Sequence, residues 1–364
     1  MKKYKVCVYA ISKNEEQFVD RWMDAVNEAD VVVVLDTGST DQTVEKLKNR
    51  GAFVHEKKID PWRFDVARNQ SMAHIPDDID ICVCTDIDEV FEPGWRNHLE
   101  AAWNPTHTRG EYWFIGTHHA DGTPDKKYRK EKIHSRHGYK WVRPVHEVLK
   151  YIGEDEENVT FINDIILHHY PDVTKPRSQY LPLLELAAED DAEDAQMIFW
   201  LGREYMYHQQ NDNCIHWLNQ YLNLPHAAWE EERCAAMRYM ATAYRRKNQD
   251  QEALRWLYKA IAECPYTREP WLDLAVFGYD LEDWPLSYWA VEKGLAIKHQ
   301  TNSYLAEPTA WGHKLYDLGA IATYRLGHYR QAFLYAEEAC KLSPTDKRLA
   351  RNKALILEKQ SEGS

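Results

Sequence analysis

Ile79-Asp80-Ile81-Cys82-Val83-Cys84-Thr85-Asp86-Ile87-Asp88-Glu89 decides how the first half of the chain reads. The apolar run predicts a buried strand, and the aspartates at i and i+2 predict a loop at its C-terminal edge. Open α/β sheets bind ligands at that edge. Two carboxylates on one short loop suit a hard divalent cation that also carries phosphate oxygens. A D-x-D is common in surface turns, so its weight comes from its neighbours in the chain.

Upstream, Lys5 to Ile11 predicts a strand that ends at Ser12-Lys13-Asn14-Glu15-Glu16 and opens a helix through about Asn27. Val31 to Leu35 is continuously apolar, as expected of a strand covered on both faces. It ends at Asp36-Thr37-Gly38-Ser39-Thr40-Asp41, followed by a helix over Gln42 to Asn49 and a short strand over Ala52 to His55. A helix over Phe64 to Ala73 precedes the aspartate strand. Alternation at these lengths predicts a parallel sheet. Asn14, Glu15 and Asp36 then fall at strand ends, where a carboxylate accepts hydrogen bonds from a base or ribose. Ser39, Thr40 or Asp41 serves equally as a helix N-cap. Arg68 can reach a diphosphate, or form an ordinary salt bridge with the aspartates.

Farther on, Trp141 to Glu147 sets a carboxylate beside His146 on an irregular segment, and Phe161 to Leu167 reads as a strand closing at His168-His169-Tyr170-Pro171. A histidine at a strand end is a candidate third metal ligand, and an imidazole tilts an oxygen-rich site toward manganese. A histidine pair is as readily surface or core packing.

At 364 residues the chain predicts two domains. A formal net charge of −13 argues against broad electrostatic capture of nucleic acid or anionic membrane. Seven scattered cysteines without a C-x-x-C pair predict reduced thiols and a cytoplasmic protein. Met1-Lys2-Lys3-Tyr4 runs into a strand without signal-peptide character, and no apolar run approaches membrane-spanning length.

From about Ser178 the strand signals give way to helix after helix. Ala253, Trp256, Ala260 and Pro265 share a spacing with Ala332, Tyr335, Ala339 and Pro344. Ser287, Ala290 and Gly294 fit it, and Cys214, Trp217 and Tyr221 fit it loosely. The period of about 34 residues is that of tetratricopeptide (TPR) hairpins, with one interval stretched by Ala296 to Pro308. An irregular helical bundle is the plainer alternative. Stacked hairpins form a solenoid whose concave face commonly takes a partner.

Of the fourteen tryptophans, Trp62, Trp95, Trp113 and Trp141 could line an acceptor groove but suit a core better. Trp200, Trp217, Trp256 and Trp289 fall at repeat spacing and read as packing. Gly116 to Gly122 and Lys126 to Lys130 suggest an acceptor-side loop, or merely a solvated face.

Together, Ser12 to Glu16, Leu35 to Asp41, Phe64 to Asn69 and Thr85 to Glu89 resemble the GT-A-fold, family-2-like glycosyltransferases, especially the branch with a C-terminal TPR region. The resemblance implies an α/β GT-A (Rossmann-like) domain over residues 1–175 and a helical TPR-like solenoid over 176–364. It implies an inverting, metal-dependent transfer of sugar from a nucleotide-diphosphate donor, UDP-sugar foremost, to a glycan, a protein side chain or a modified DNA base. The acidic balance disfavours DNA. Asn14, Glu15 and Asp36 would hold the nucleotide, with Asp36 on the base, and Arg68 would frame the pocket. Asp86 would contact ribose or donor sugar and join the metal set. Asp88 would ligate manganese or magnesium with His169, or alternatively His168. Glu147 would act as general base. Thr37-Gly38 departs from relatives that carry a second aspartate before the glycine. The metal would stabilise the departing diphosphate, and Glu147 would take the acceptor's proton.

The competing reading is a non-catalytic TPR adaptor with a degenerate GT-A domain, the helical half binding a protein partner or a second copy. A dehalogenase-type phosphatase, suggested by Asp36-Thr37-Gly38-Ser39-Thr40, fails for want of an aspartate two residues after Asp36.

Overall fold

Alternating apolar runs and amphipathic stretches produce β1 (Val6–Ser12), α1 (Val19–Val26), β2 (Val31–Asp36), α2 (Thr43–Asn49), β3 (Phe53–Glu56), α3 (Phe64–Ala73) and β4 (Ile81–Cys84). There follow β5 (Glu89–Phe91), α4 (Trp95–Ala102), β6 (Arg109–His118), β7 (Pro124–Ser135), β8 (Tyr139–Val142), β9 (Val148–Tyr151) and β10 (Val159–His169). The computed structural model describes residues 3–119, 121–172 and 180–362. It divides the chain into two compact units, Met1–Ala187 and Ala188–Ser364. The expected boundary between residues 175 and 176 lies outside the described residues, as does Ala120 of the expected acceptor-side loop.

The first unit is a mixed sheet with helices. Its eight strands run in the order β3-β2-β1-β4-β7-β6-β10-β5, and β8 pairs with β9 separately. β3, β2, β1 and β4 are parallel, in a register that sets Ser12 beside Asp36. The expected all-parallel sheet stops there. β6 and β7 form a long hairpin whose second strand docks antiparallel on β4, and β5 runs antiparallel to β10. Alternation of strand and helix carries no information about a hairpin inserted after the fourth strand. The basic run Lys126–Lys130 therefore lies within β7, and Trp141 within β8.

Valine-rich strands need cover on both faces. On one face Val8, Trp22, Val83, Trp95 and Phe114 share a core. On the other, Tyr9, Cys82, Cys84, Trp141 and Leu149 pack together. Trp22, Trp95 and Trp141 are wholly buried, so burial decides their role as packing. Beneath the sheet, Trp141 Nε1–H donates to Tyr9 Oη at 2.9 Å, and Tyr9 Oη–H donates to His134 Nε2 at 2.9 Å. His134 Nδ1–H donates to the Ser135 carbonyl at 2.7 Å, which fixes the tautomer.

After α5 (Tyr180–Asp190), the second unit is a series of helical hairpins: α6 (Ala195–Tyr207) with α7 (Asn211–Asn223), α8 (Glu230–Arg246) with α9 (Asp250–Glu263), and α10 (Glu269–Asp280) with α11 (Trp284–Ala296). Short α12 (Pro308–Trp311) precedes the hairpin of α13 (Lys314–Arg325) and α14 (Tyr329–Leu342), and α15 (Lys347–Glu362) follows. Each hairpin turn carries one left-handed residue: Gln209, Asn248, Glu282 and Gly327, with φ of 57°, 57°, 55° and 79°. The next N–H reaches back to the carbonyl five residues earlier, Gln210 to Tyr205, Gln249 to Tyr244, Asp283 to Gly278 and His328 to Thr323. This closure satisfies carbonyls that a helix end otherwise leaves open.

Five positions after each left-handed residue the side chain is small, Cys214, Ala253, Ser287 and Ala332; eight and twelve positions after it stand Trp217 and Tyr221, Trp256 and Ala260, Ala290 and Gly294, and Tyr335 and Ala339. All four hairpins of the described residues thus obey one pattern, and the region is a TPR-like helical repeat. Side chains are excluded where helices meet closely. A Cβ on Gly278 would stand 2.7 Å from the Ser287 backbone nitrogen.

Candidate functional site

At the sheet edge the expected site residues are folded into local structure. Asp36 is buried, and its Oδ1 accepts from Gly38 N–H at 3.0 Å and Ser39 N–H at 2.8 Å. Its Oδ2 accepts from Ser12 Oγ at 2.9 Å and Ser39 Oγ at 2.5 Å. Asn14 sits at φ 55°; its N–H donates to Ser39 Oγ at 2.8 Å, and its Oδ1 accepts from Thr40 N–H at 2.8 Å. Glu15 N–H donates to Thr43 Oγ1 at 2.7 Å. These bonds knit the loops after β1 and β2 into one turn.

Arg68, 4% exposed, lies across the end of β4. Its Nε–H donates to Glu147 Oε1 at 2.5 Å, Nη2 to Asp86 Oδ1 at 2.7 Å and Nη1 to Cys84 Sγ at 3.3 Å. Asp86 Oδ2 accepts from Lys132 Nζ at 3.2 Å. Glu89, almost fully buried, accepts Asp86 N–H at 2.9 Å and faces Lys130 and Lys132 at 3.5 and 3.8 Å. Burial alone would raise the Asp86 carboxyl, but Arg68, Lys132 and Lys130 hold it well below the usual carboxylate range. Burial would likewise lower Lys132, and Asp86 and Glu89 raise it instead. Three cations and three carboxylates neutralise one another.

Asp88 takes a different partner. Its Oδ2 is 3.3 Å from His169 Nε2, and its carbonyl accepts Tyr170 N–H at 2.9 Å. Burial opposes charge on His169, yet the Asp88 bond raises its pKa. His168 turns away, with Nε2 3.0 Å from Glu92 Oε1 and Nδ1 3.0 Å from His118 Nε2. The structure therefore brings Asp88 to His169, and Arg68 to Asp86 and Glu147; Glu89, paired in register with His169 and bonded to Asp86 N–H, lies between the two.

In the second unit α6, α8, α10 and α13 lie side by side. Tyr207 and Trp229 are exposed on this array, and Arg203 lies 6.0 Å from the Trp200 ring. Arg238, nearly fully buried, donates Nε–H to Asp273 Oδ2 at 2.6 Å and Nη2–H to Glu307 Oε1 at 2.9 Å. Glu232 accepts from Tyr221 Oη at 3.0 Å and Tyr304 Oη at 2.8 Å. Repeat spacing gives no reason to single out these residues. The stretched interval from Ala296 to Pro308 is the one signal in the sequence that points to them.

No family model and no curated protein matches the chain. Among solved structures it is similar to MamA, at 18% identity, covering 49% of this chain and 99% of that one with a TM-score of 0.39. It is also similar to a thermophilic TPR protein of Thermus thermophilus, at 16% identity, 49% and 88% coverage and a TM-score of 0.35. A third is the C-terminal part of a TPR repeat-containing protein from Cytophaga hutchinsonii, at 14% identity, 51% and 67% coverage and a TM-score of 0.42.

The expectation of a metal-dependent glycosyltransferase is corrected. Among the described residues no group of three or more His, Cys, Asp or Glu could hold a metal ion. Asp86, expected in the metal set with Asp88 and His169, is spent on Arg68 and Lys132, which leaves only a direct carboxylate–imidazole contact. The donor set does not fit manganese or magnesium. Glu147, expected as general base, is ion-paired to the Arg68 guanidinium instead of standing free beside an acceptor. With that donor set goes the metal-dependent transfer expected of the chain, its manganese or magnesium included. Among the described residues no helix is long and apolar enough to cross a membrane.

Proposed function

We propose that this chain is a non-catalytic helical-repeat adaptor, with a protein partner held on the face made by α6, α8 and α10. One observation carries the reading. Exposed aromatics, Tyr207 at the end of α6 and Trp229 at the start of α8, accompany buried charged residues of α8, Arg238 and Glu232. Aromatic and arginine anchors are enriched among the residues that carry most of the energy of protein recognition. In this reading the chain's domains are 1–175 and 176–364, and the first is a degenerate GT-A-type sheet. Four ordered motifs and the parallel run β3-β2-β1-β4 support that assignment. Asn14, Glu15, Asp36, Arg68, Asp86 and Glu147 then serve as structural residues of the loops they join. Seven free thiols suit a reducing, cytoplasmic setting.

The test places a photo-crosslinking residue at Tyr207 of the full chain in its host cell, with a control at Tyr128 on the first unit. A discrete protein adduct at Tyr207, lost on Arg238→Glu, supports the reading. Adducts at Tyr128 alone, or none at either position, would overturn it.

A further inference from the structure

The left-handed turn residues measure the repeat. Gln209 to Asn248 is 39 residues, Asn248 to Glu282 34 and Glu282 to Gly327 45, so the last interval carries 11 residues (45 − 34) more than the shortest. They fall between α11 and α12, in residues 297–307, which have no helix or strand. This segment returns to earlier hairpins. Tyr304 Oη–H donates to Glu232 Oε2 at 2.8 Å, Trp200 Nε1–H reaches Tyr304 Oη at 3.5 Å, and the Trp229 ring lies 5.5 Å away. Three residues later the Glu307 carboxylate accepts from Arg238. Leu305 and Ala306 roof a cavity of about 20 Å³ above Cys234, Ala235 and Thr267.

The seat and the segment are complementary in charge. Asp273 takes Arg238 Nε–H and leaves Nη2 for an incoming carboxylate. Glu232 already accepts the Tyr221 hydroxyl, and a second hydroxyl completes it. The ends of the segment are tied, Ile297 O accepting from Arg268 at 3.0 and 2.8 Å and Glu307 N–H donating to Glu269 Oε1 at 3.0 Å, while Tyr304 between them stays 53% exposed. Arg203 Nε is buried with no hydrogen-bond partner, so the seat offers a donor that the segment leaves unused.

We propose that residues 297–307 are an internal stand-in for the partner, and that the segment displacing them is an extended stretch of protein with a tyrosine followed three residues later by a carboxylate. The inference rests on the adaptor reading and names the partner's chemistry. A tethered loop competes at an effective concentration on the order of millimolar, so affinity for an external segment falls by the fraction of molecules in which the loop is closed.

The experiment uses a fluorescent peptide copying residues 301–310, measured by anisotropy against the full chain. One form is intact, one has residues 298–307 replaced by a glycine-serine linker of equal length, and one carries Tyr304→Phe with Glu307→Gln. Binding should be about ten-fold tighter or more to both altered forms than to the intact chain. It should be lost when the peptide carries phenylalanine at the tyrosine position or the protein carries Glu232→Gln. Equal binding to intact and altered chains would overturn the proposal. So would absence of binding to altered chains whose circular dichroism and melting match the intact protein. Peptide binding is read without any cellular partner, so its failure and an empty crosslink at Tyr207 are separate results.

Discussion

Arg68 donates its Nε–H to Glu147 at 2.5 Å from inside the core, while its Nη2 is held by Asp86. A buried arginine between two carboxylates is costly to break, because removal of one partner strands the others. Arg68→Met should therefore destabilise the first unit by about 3–5 kcal/mol, read from chemical denaturation. Glu147→Gln, which leaves Arg68 its bond to Asp86, should cost less. Equal losses would mean that Asp86 contributes nothing to holding the guanidinium.

His134 makes the first unit acid-sensitive. Burial pushes its pKa down to about 3, and nearby Arg109 and Arg136 act in the same direction. In the unfolded chain it protonates near its ordinary value of about 6.5. Stability should thus fall as pH drops from about 6.5 toward 3, by at most about 1.4 kcal/mol per unit from this group. His134→Gln should flatten that slope in denaturant midpoints measured across the range. An unchanged slope would shift the acid sensitivity to other groups.

His169 acts in the opposite sense. Its folded pKa is raised by the bond to Asp88, so the stabilisation is complete below the ordinary histidine value and disappears as pH climbs through the raised one. Asp88→Asn should reduce that alkaline loss, leaving the smaller part due to Glu89 and Asp86, and a nuclear magnetic resonance titration of the His169 ring should show its pKa falling. A ring that titrates identically in Asp88→Asn would separate the two residues energetically.

Glu282 adopts φ 55° at a turn where the matching position of another hairpin is Gly327. A left-handed side chain costs about 1–2 kcal/mol, part of which glycine returns as entropy in the unfolded chain. Glu282→Gly should raise stability by up to about 1 kcal/mol. Gly278→Ala in the preceding helix should lower it, since its Cβ would meet the Ser287 backbone rather than a side chain able to move. Thermal melts of the two variants should move in opposite directions.

The repeat was legible because it rests on excluded volume. Ser287, Ala290 and Gly294 are small for the reason that Ala253 and Ala260 are, and a size pattern survives in sequence. The strands from Val6 to Cys84 were legible because burial on both faces demands unbroken apolar runs. The site was not. Motif order brings Asp86, Asp88, Arg68, Glu147 and His169 into one region, but it cannot say which charge answers which. That depends on Lys130 and Lys132 of β7, a strand that reads in sequence as a solvated loop. Tyr304 was hidden for a related reason: a loop's destination depends on partners 72 and 104 residues away.

Those two distances have a mechanical meaning. Stacked hairpins usually melt piecemeal, each answering only to the units beside it. A strap from the connection after α11, the third hairpin, back to Trp200 and Glu232 ties the third hairpin to the first two. With the strap fastened, the first two hairpins can loosen only in concert with the third. Unfastened, they are at liberty to fray alone, so whatever takes the strap's place also sets the stiffness of the three together.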